Sequence, residues 1–207
     1  MESNTNNYQY QNPDLGWAHS YLLPVINDIL ADVKAKNVFE LGCGNGSVAN
    51  WLHQKKIDIV GIDNSQTGID QANKTFPKIR LEEGSAYEDL SKRFGRFPVV
   101  LSLEVVEHLY FPKLFAKNVF DLLEPGGVAV ISTPFHGYWK NLALALTGKL
   151  DSHFTALWDG GHIKFWSENT MRELLSEAGF FDITFRRAGR VPVLAKSMIA
   201  IARKPNI

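Results

Sequence analysis

Apolar residues recur along this chain in two rhythms. Between about Leu15 and Ala35, Leu22, Leu23, Ile26, Ile29, Leu30 and Val33 return every three or four positions, which predicts an amphipathic helix. Short apolar runs follow at Val38–Leu41, Ile57–Ile62, Ile79–Leu81, Val99–Leu103 and Val128–Ser132. They are too short for helices and favour β-branched residues, so they predict strands. Val99–Leu103 is apolar on both faces, as a strand inside a covered parallel sheet must be. Between these runs, Ser47–Gln54, the segment from Ser65 to about Lys74, and Pro112–Leu122 read as helices, with Ser65 as an N-cap. Glu124-Pro125-Gly126-Gly127 reads as a turn that no regular element crosses. Ser167 caps a last helix through Ala178, and Gly179 stops it. Phe181–Arg187 and Met198–Arg203 are separated only by a loop and should pair antiparallel.

Strands that alternate with helices predict a doubly wound α/β sheet, with ligands beyond the carboxyl ends of its strands. Residues 1–14 read as a flexible arm and residues 15–207 as a single domain. Composition narrows the function. The chain is 45% hydrophobic and 21% charged, with a formal net charge of +0 and its basic residues dispersed. A nucleic-acid substrate is therefore not expected, because phosphate backbones need a basic face. Cys43 is the lone cysteine, which excludes an intrachain disulfide and reads as a small buried filler. The polar start has no leader-like pattern, and no apolar run is long enough to span a bilayer, so the cytoplasm is the expected location.

The chemistry concentrates at Glu40-Leu41-Gly42-Cys43-Gly44-Asn45-Gly46 and at Asp63, each at the end of an apolar run. This is the layout of a nucleotide-binding strand–turn–helix–strand unit. Glycines let a backbone approach a ligand closely. Asp63 suits a ribose diol. A dinucleotide fingerprint would need a third glycine at position 47, which is Ser47, so a nicotinamide-dependent oxidoreductase is the weaker alternative.

E-x-G-x-G-x-G resembles motif I of the class I S-adenosylmethionine (SAM)-dependent methyltransferases. An acid at the strand end suits a ligand with a sulfonium and an ammonium. The resemblance runs from about Trp17 to Arg203 and is nearest to the ubiquinone-biosynthesis O-methyltransferases. It implies a Rossmann-like seven-stranded sheet of order 3-2-1-4-5-7-6 with strand 7 antiparallel. It also implies a SAM site at Glu40, Gly42, Gly44, Asp63, Asn64, Ser85, Ala86 and Leu103. Glu83-Gly84-Ser85-Ala86 matches the segment that borders adenine, although relatives commonly carry an acid where this chain has Ser85. The implied activity is O-methylation of a small-molecule acceptor, aromatic or lipidic, by in-line methyl transfer. A SAM-binding protein without transfer activity is the non-catalytic alternative.

Leu103-Glu104-Val105-Val106-Glu107-His108 resembles the family's E-x-x-E-H motif. If it forms one helical turn, Glu104 shares a face with Glu107 and His108. The three would then accept a hydroxyl proton or hold a divalent cation, with Mg²⁺ the candidate for two carboxylates. The plainer reading is a turn whose acids complement a helix dipole. His162 follows Gly160-Gly161 and could be tuned near neutrality as a general base, or could simply bond a loop carbonyl. His136 and His153 are weaker candidates, and His53 reads as solvated. The insert at about 135–162, apolar and aromatic between Phe135 and Trp158, reads as a substrate cover or a membrane-surface contact. Tyr8, Tyr10 and Trp17 are candidates to close the SAM pocket from the other side.

Overall fold

In the computed structural model, which describes residue 10 and residues 12–206, the alternation of apolar runs becomes one seven-stranded sheet flanked by helices. The strands are β1 (Asn37–Leu41), β2 (Asp58–Asp63), β3 (Arg80–Glu83), β4 (Phe97–Leu103), β5 (Leu123–Pro134), β6 (Phe181–Ala188) and β7 (Ser197–Arg203). The helices are α1 (His19–Asp32), α2 (Ser47–Gln54), α3 (Gln66–Thr75), α4 (Leu90–Phe94), α5 (Pro112–Leu122), α6 (Tyr138–Leu146), α7 (Leu150–Phe154) and α8 (Glu168–Glu177). The strand order is β3-β2-β1-β4-β5-β7-β6, as expected. β1 through β5 run parallel, and β7 is antiparallel to both β5 and β6.

Alternate residues of each central strand enter opposite cores. Val38, Val99 and Leu101 meet Leu22, Ile26 and Ile29 of α1 and Val48 and Leu52 of α2. Phe39 and Val100 meet Phe115 and Val119 of α5 and Met171 and Leu174 of α8. Each such side chain contributes roughly 1.5–3 kcal/mol by leaving water. The sheet is therefore held from both faces, which fixes the strand tips where the functional side chains sit.

The caps explain several boundaries. Ser65 Oγ accepts from Gly68 N at 3.2 Å, and Ser167 with Thr170 forms a reciprocal capping box. Gly179, at φ +102, ends the chain segment after α8. Two expectations need correction. α1 starts at His19 rather than near Leu15, because Leu15 and Trp17 are exposed and Gly16 N bonds back to His19 Nδ1 at 2.9 Å. β5 also crosses the Glu124–Gly127 stretch instead of starting after it. Phe97 pairs with Leu123 and Val99 with Val128, so the extra residues form a bulge. Lys204 pins that bulge, its Nζ donating to the Phe120 and Leu123 carbonyls at 2.8 Å each. Tyr8 and most of the N-terminal arm lie outside the described residues.

Candidate active site

The tips of β1, β2 and β4 open into one cleft of about 2180 Å³. Glu40, Gly42, Gly44, Asp63, Asn64, Ser85, Ala86 and Leu103 all line it. That is the half nearest the glycine loop. The loop is held by its own backbone: Gly42 N and Cys43 N both donate to the Ile62 carbonyl, at 2.8 and 2.9 Å. Asp63 fixes it from the side. Its Oδ2 accepts from Gly44 N and its Oδ1 from Ser65 N, both at 2.8 Å. One carboxylate thus ties the β1 loop to the α3 cap, a clamp the spacing alone did not reveal. Gly42 sits at φ +92, and a side chain there would run into Val105. Tyr10 lies across Gly44 and Gly68 and lines the same cleft. Trp17 also lines it, with Lys196 Nζ 3.6 Å from its ring centre.

Glu40 is buried at the strand tip, and its Oε2 meets no hydrogen-bond donor among the described residues. Burial, and then the Asp63 carboxylate, pushes its pKa up to about 8. A buried acid with an orphaned oxygen, beside a backbone cradle, fits a ligand that brings a cation. Cys43 packs as a buried filler, with burial holding its thiol well above the usual range.

The second half of the cleft lies past the end of β4. The chain from Glu104 to His108 does not form the single helical turn expected of it. Only Val106–His108 coils, as a short 3₁₀ turn, and Glu104 stands outside it with φ +55. Its carboxylate turns toward the sheet. Ser132 Oγ donates to Oε1 at 2.8 Å and Ser197 Oγ to Oε2 at 3.3 Å, with the Tyr21 hydroxyl 3.3 Å from Ser197 Oγ. Burial raises the Glu104 pKa to about 7, and the two serines and Lys140 restrain the rise.

Glu107, His108 and His162 come together instead, each offering a ligand atom within 4.8 Å of the others. Glu107 is 1% exposed, and among the described residues neither carboxylate oxygen reaches a hydrogen-bond partner; Thr133 approaches without attaining hydrogen-bond geometry. Burial and the Glu104 carboxylate hold its pKa well above the carboxylate range. His162 Nε2 lies 3.9 Å from Glu107 Oε1. The loop is fastened there by its backbone, since Ile163 N and Lys164 N donate to the Glu107 carbonyl at 2.9 and 3.0 Å. His108 Nδ1 is 2.8 Å from the Gly160 carbonyl, which can only accept. The proton is therefore on Nδ1, and Nε2 presents a lone pair. His162 is not poised near neutrality as its sequence context suggested. Burial, then His108 and His153, pushes it down to about 4, so it is a neutral imidazole at physiological pH.

The insert forms α6 and α7. Lys140 is the buried residue of α6, whereas Tyr138, Trp139 and Leu146 are exposed and Leu157 is 98% exposed. Trp158 sets its edge against His108 and His162, with ring centres 5.8 and 5.4 Å away. His136 lies behind the cleft wall, packed against His153, Phe154 and Phe165, and burial pushes it down to about 4. His153 lines the cleft, while His53 is exposed on α2. Among the described residues, no helix is long and apolar enough to cross a membrane.

Comparison with known proteins agrees with this architecture. A family model described as a methyltransferase domain matches residues 15–184. The ubiquinone biosynthesis O-methyltransferase of Azorhizobium caulinodans is 32% identical over 123 residues, covering 58% of this chain and 48% of that protein. The enzyme of the same name from Cereibacter sphaeroides is 29% identical over 165 residues, covering 78% and 63%. The chain thus spans about half the length of the first curated relatives it matches. Among solved structures, a SAM-dependent methyltransferase from Mesorhizobium loti superposes with a TM-score of 0.68 at 17% identity, over 87% of this chain and 96% of that one. Magnesium protoporphyrin IX methyltransferase from Synechocystis PCC 6803, with bound S-adenosylhomocysteine (SAH), gives 0.67 at 17% identity, over 88% and 81%. These two likenesses concern the fold. On the family match and the sheet order together, the chain belongs to the methyltransferase-domain family, in its class I SAM-dependent form.

Proposed function

We propose that this chain transfers a methyl group from SAM to a hydroxyl of a small, partly apolar acceptor. The observation that carries the reading is one continuous cleft with the glycine loop, Glu40 and Asp63 at one end and His108 and His162 at the other. When bound, SAM supplies an activated methyl group on a cationic sulfonium. Glu40 is placed to meet the cationic amino-acid part, and Asp63 and Asn64 the ribose. Gly42 and Gly44 give clearance, and Ser85, Ala86 and Leu103 border the base. The protein's main task is to hold donor and acceptor in line, which can supply a large part of the rate. A hydroxyl also has to lose its proton, and neutral His162 is the nitrogen placed to take it, a weak base at a pKa of about 4 whose basicity would rise as Glu107, 3.9 Å away, ionises beside it. Glu104, Glu107 and His108 shape this end, with Glu104 acting through the serines that hold it. The relatives' printed name supports oxygen as the acceptor atom. The test is transfer of a labelled methyl group from SAM to a panel of aromatic diols. No transfer to any hydroxyl acceptor, with SAM binding intact, would leave a SAM-binding protein in its place.

A cation at Glu107, His108 and His162 is the second reading. The unpartnered Glu107 oxygens and the free Nε2 of His108 fit one. Two imidazoles with one carboxylate suit a transition metal such as Mn²⁺ or Zn²⁺ better than Mg²⁺. Such an ion, when bound, would orient and acidify an acceptor hydroxyl. Full activity in excess chelator sinks this reading. The exposed rings of α6 and the segment after α7 also suit contact with a membrane surface, to be checked by vesicle sedimentation.

A further inference from the structure

One set of basic side chains on the acceptor side has no role in the scheme above. Lys140 lies in the first turn of α6, Lys149 just before α7, His153 on α7, and Arg190 in the connection between β6 and β7. All four line the cleft. The chain as a whole is neutral, so this accumulation does not reflect a generally basic protein.

Lys140, Lys149 and Arg190 are cations, and His153, lowered by burial, stands among them as a neutral imidazole. Among the described residues, no ion pair involves Lys140, Lys149, His153 or Arg190. Lys140 is buried, and its Nζ donates to the Phe135 carbonyl at 2.7 Å and to the Lys196 carbonyl at 3.4 Å, both neutral acceptors; the Glu104 carboxylate acts on its charge only through space. The acids lining this half are Glu104, held by two serines, and Asp159, which is exposed. Lys196 is also here, with its ammonium against the Trp17 and Tyr21 rings. The groups sense one another: Arg190 adds to the burial that depresses Lys140 while Glu104 opposes it, and Lys140 and Arg190 add to the burial that depresses His153. Glu104 offsets Lys140 alone, and like charges gathered from separate elements cost stability unless an anion joins them.

On the reading that this cleft takes a methyl acceptor, we propose that the acceptor carries an anionic substituent, of carboxylate or phosphate type, seated among Lys140, His153 and Arg190. The acceptor would then be oriented from two ends, its anion at this cluster and its hydroxyl at His162. Arg190 is exposed and presents the planar fork that suits either oxyanion.

The test titrates three compounds sharing a ring into SAH-loaded protein: 3,4-dihydroxybenzoate, 3,4-dihydroxyphenylphosphonate and methyl 3,4-dihydroxybenzoate. Both anions should bind roughly tenfold or more tightly than the ester, as for a charge-assisted contact. The tighter of the two anions identifies the oxyanion. Arg190→Gln, in an exposed loop where folding is not at risk, should remove most of that preference and leave ester binding unchanged. Equal affinities, absence of binding by all three, or an equal loss for all three in Arg190→Gln would overturn the proposal. Methyl transfer to the ester with no preference for the anions would sink the anion site alone. Anion-selective binding without transfer to any diol would sink the transfer reading alone.

Discussion

Glu40 holds its proton in the ligand-free protein because its burial outweighs any partner it has. A cation arriving beside it draws the carboxyl pKa down and releases that proton. SAM affinity should therefore rise with pH between about 6 and 8, by at most about tenfold per unit, and Glu40→Gln should flatten the dependence. Calorimetry in buffers of different ionisation enthalpy checks both. Asp63 holds the loop and, on the proposed function, the ligand too, so Asp63→Ala should weaken SAM by at least roughly 1.5–3 kcal/mol. Asp63→Asn, which keeps one accepting oxygen, should fall between; unchanged affinity in both variants removes Asp63 from the site. His162→Ala should lower kcat by about 10²–10⁴ while SAM binding stays within error. That the glycine loop, Glu40 and Asp63 share one cleft was legible because glycine spacing and strand-end acids are local signals. The Glu107–His108–His162 grouping was legible only as its parts. The i, i+3, i+4 spacing pointed to Glu104, and no spacing rule says that the serines at 132 and 197 capture that side chain. Glu104 itself is held at φ +55, a costly backbone for a non-glycine residue that the surrounding contacts must impose.

At the level of elements, α2 and α5 run over the residues their apolar patterns mark out, Ser47–Gln54 and Pro112–Leu122. The insert was different. Its residues announce an apolar surface but not a helical period, and α6 and α7 bury little of it. α4, at five residues, is too short for any periodicity to register. Helices with so little buried area belong to the low-stability end of a structure. Deleting Tyr138 to Trp158 should therefore spare SAM binding and remove methyl transfer. Hydrogen exchange should show weak protection across α6 and α7 with SAM alone and more once an acceptor is added. Protection there equal to that of β4, and insensitive to ligand, would make the insert ordinary core. The bulge in β5 was hidden by the same proline and glycines that marked a turn, since the force that keeps the strand going is supplied by Lys204, far along the chain.

For the whole molecule, the buried titratable groups set opposing slopes of stability against pH. Glu40 and Glu104 have folded pKa values of about 8 and about 7, above their unfolded values, so the folded state holds extra protons and loses stability as pH rises through this range. His136 and His162, lowered to about 4, work the other way, but only below the unfolded histidine value of about 6.5. Lys140, lowered to about 8, adds stability only above that pH. Between about pH 6.5 and 8 the carboxyls act alone, so the melting temperature of the ligand-free protein should fall across that window, and less so in Glu40→Gln. A rise instead would mean these acids are already ionised when folded. The alternation of elements announced a doubly wound sheet, whereas its strand order came from family resemblance, because periodicity says which residues are buried and not which strands are neighbours. That order has a consequence for synthesis. β7 follows every other described strand along the chain, yet it enters the sheet between β5 and β6 and brings Ser197 to Glu104. On the proposed function, a nascent chain that has not yet released β7 has every residue of its glycine loop and lacks Ser197, a hydroxyl that holds Glu104 at the acceptor end. Competence to bind the donor should therefore be acquired earlier in translation than competence to use it.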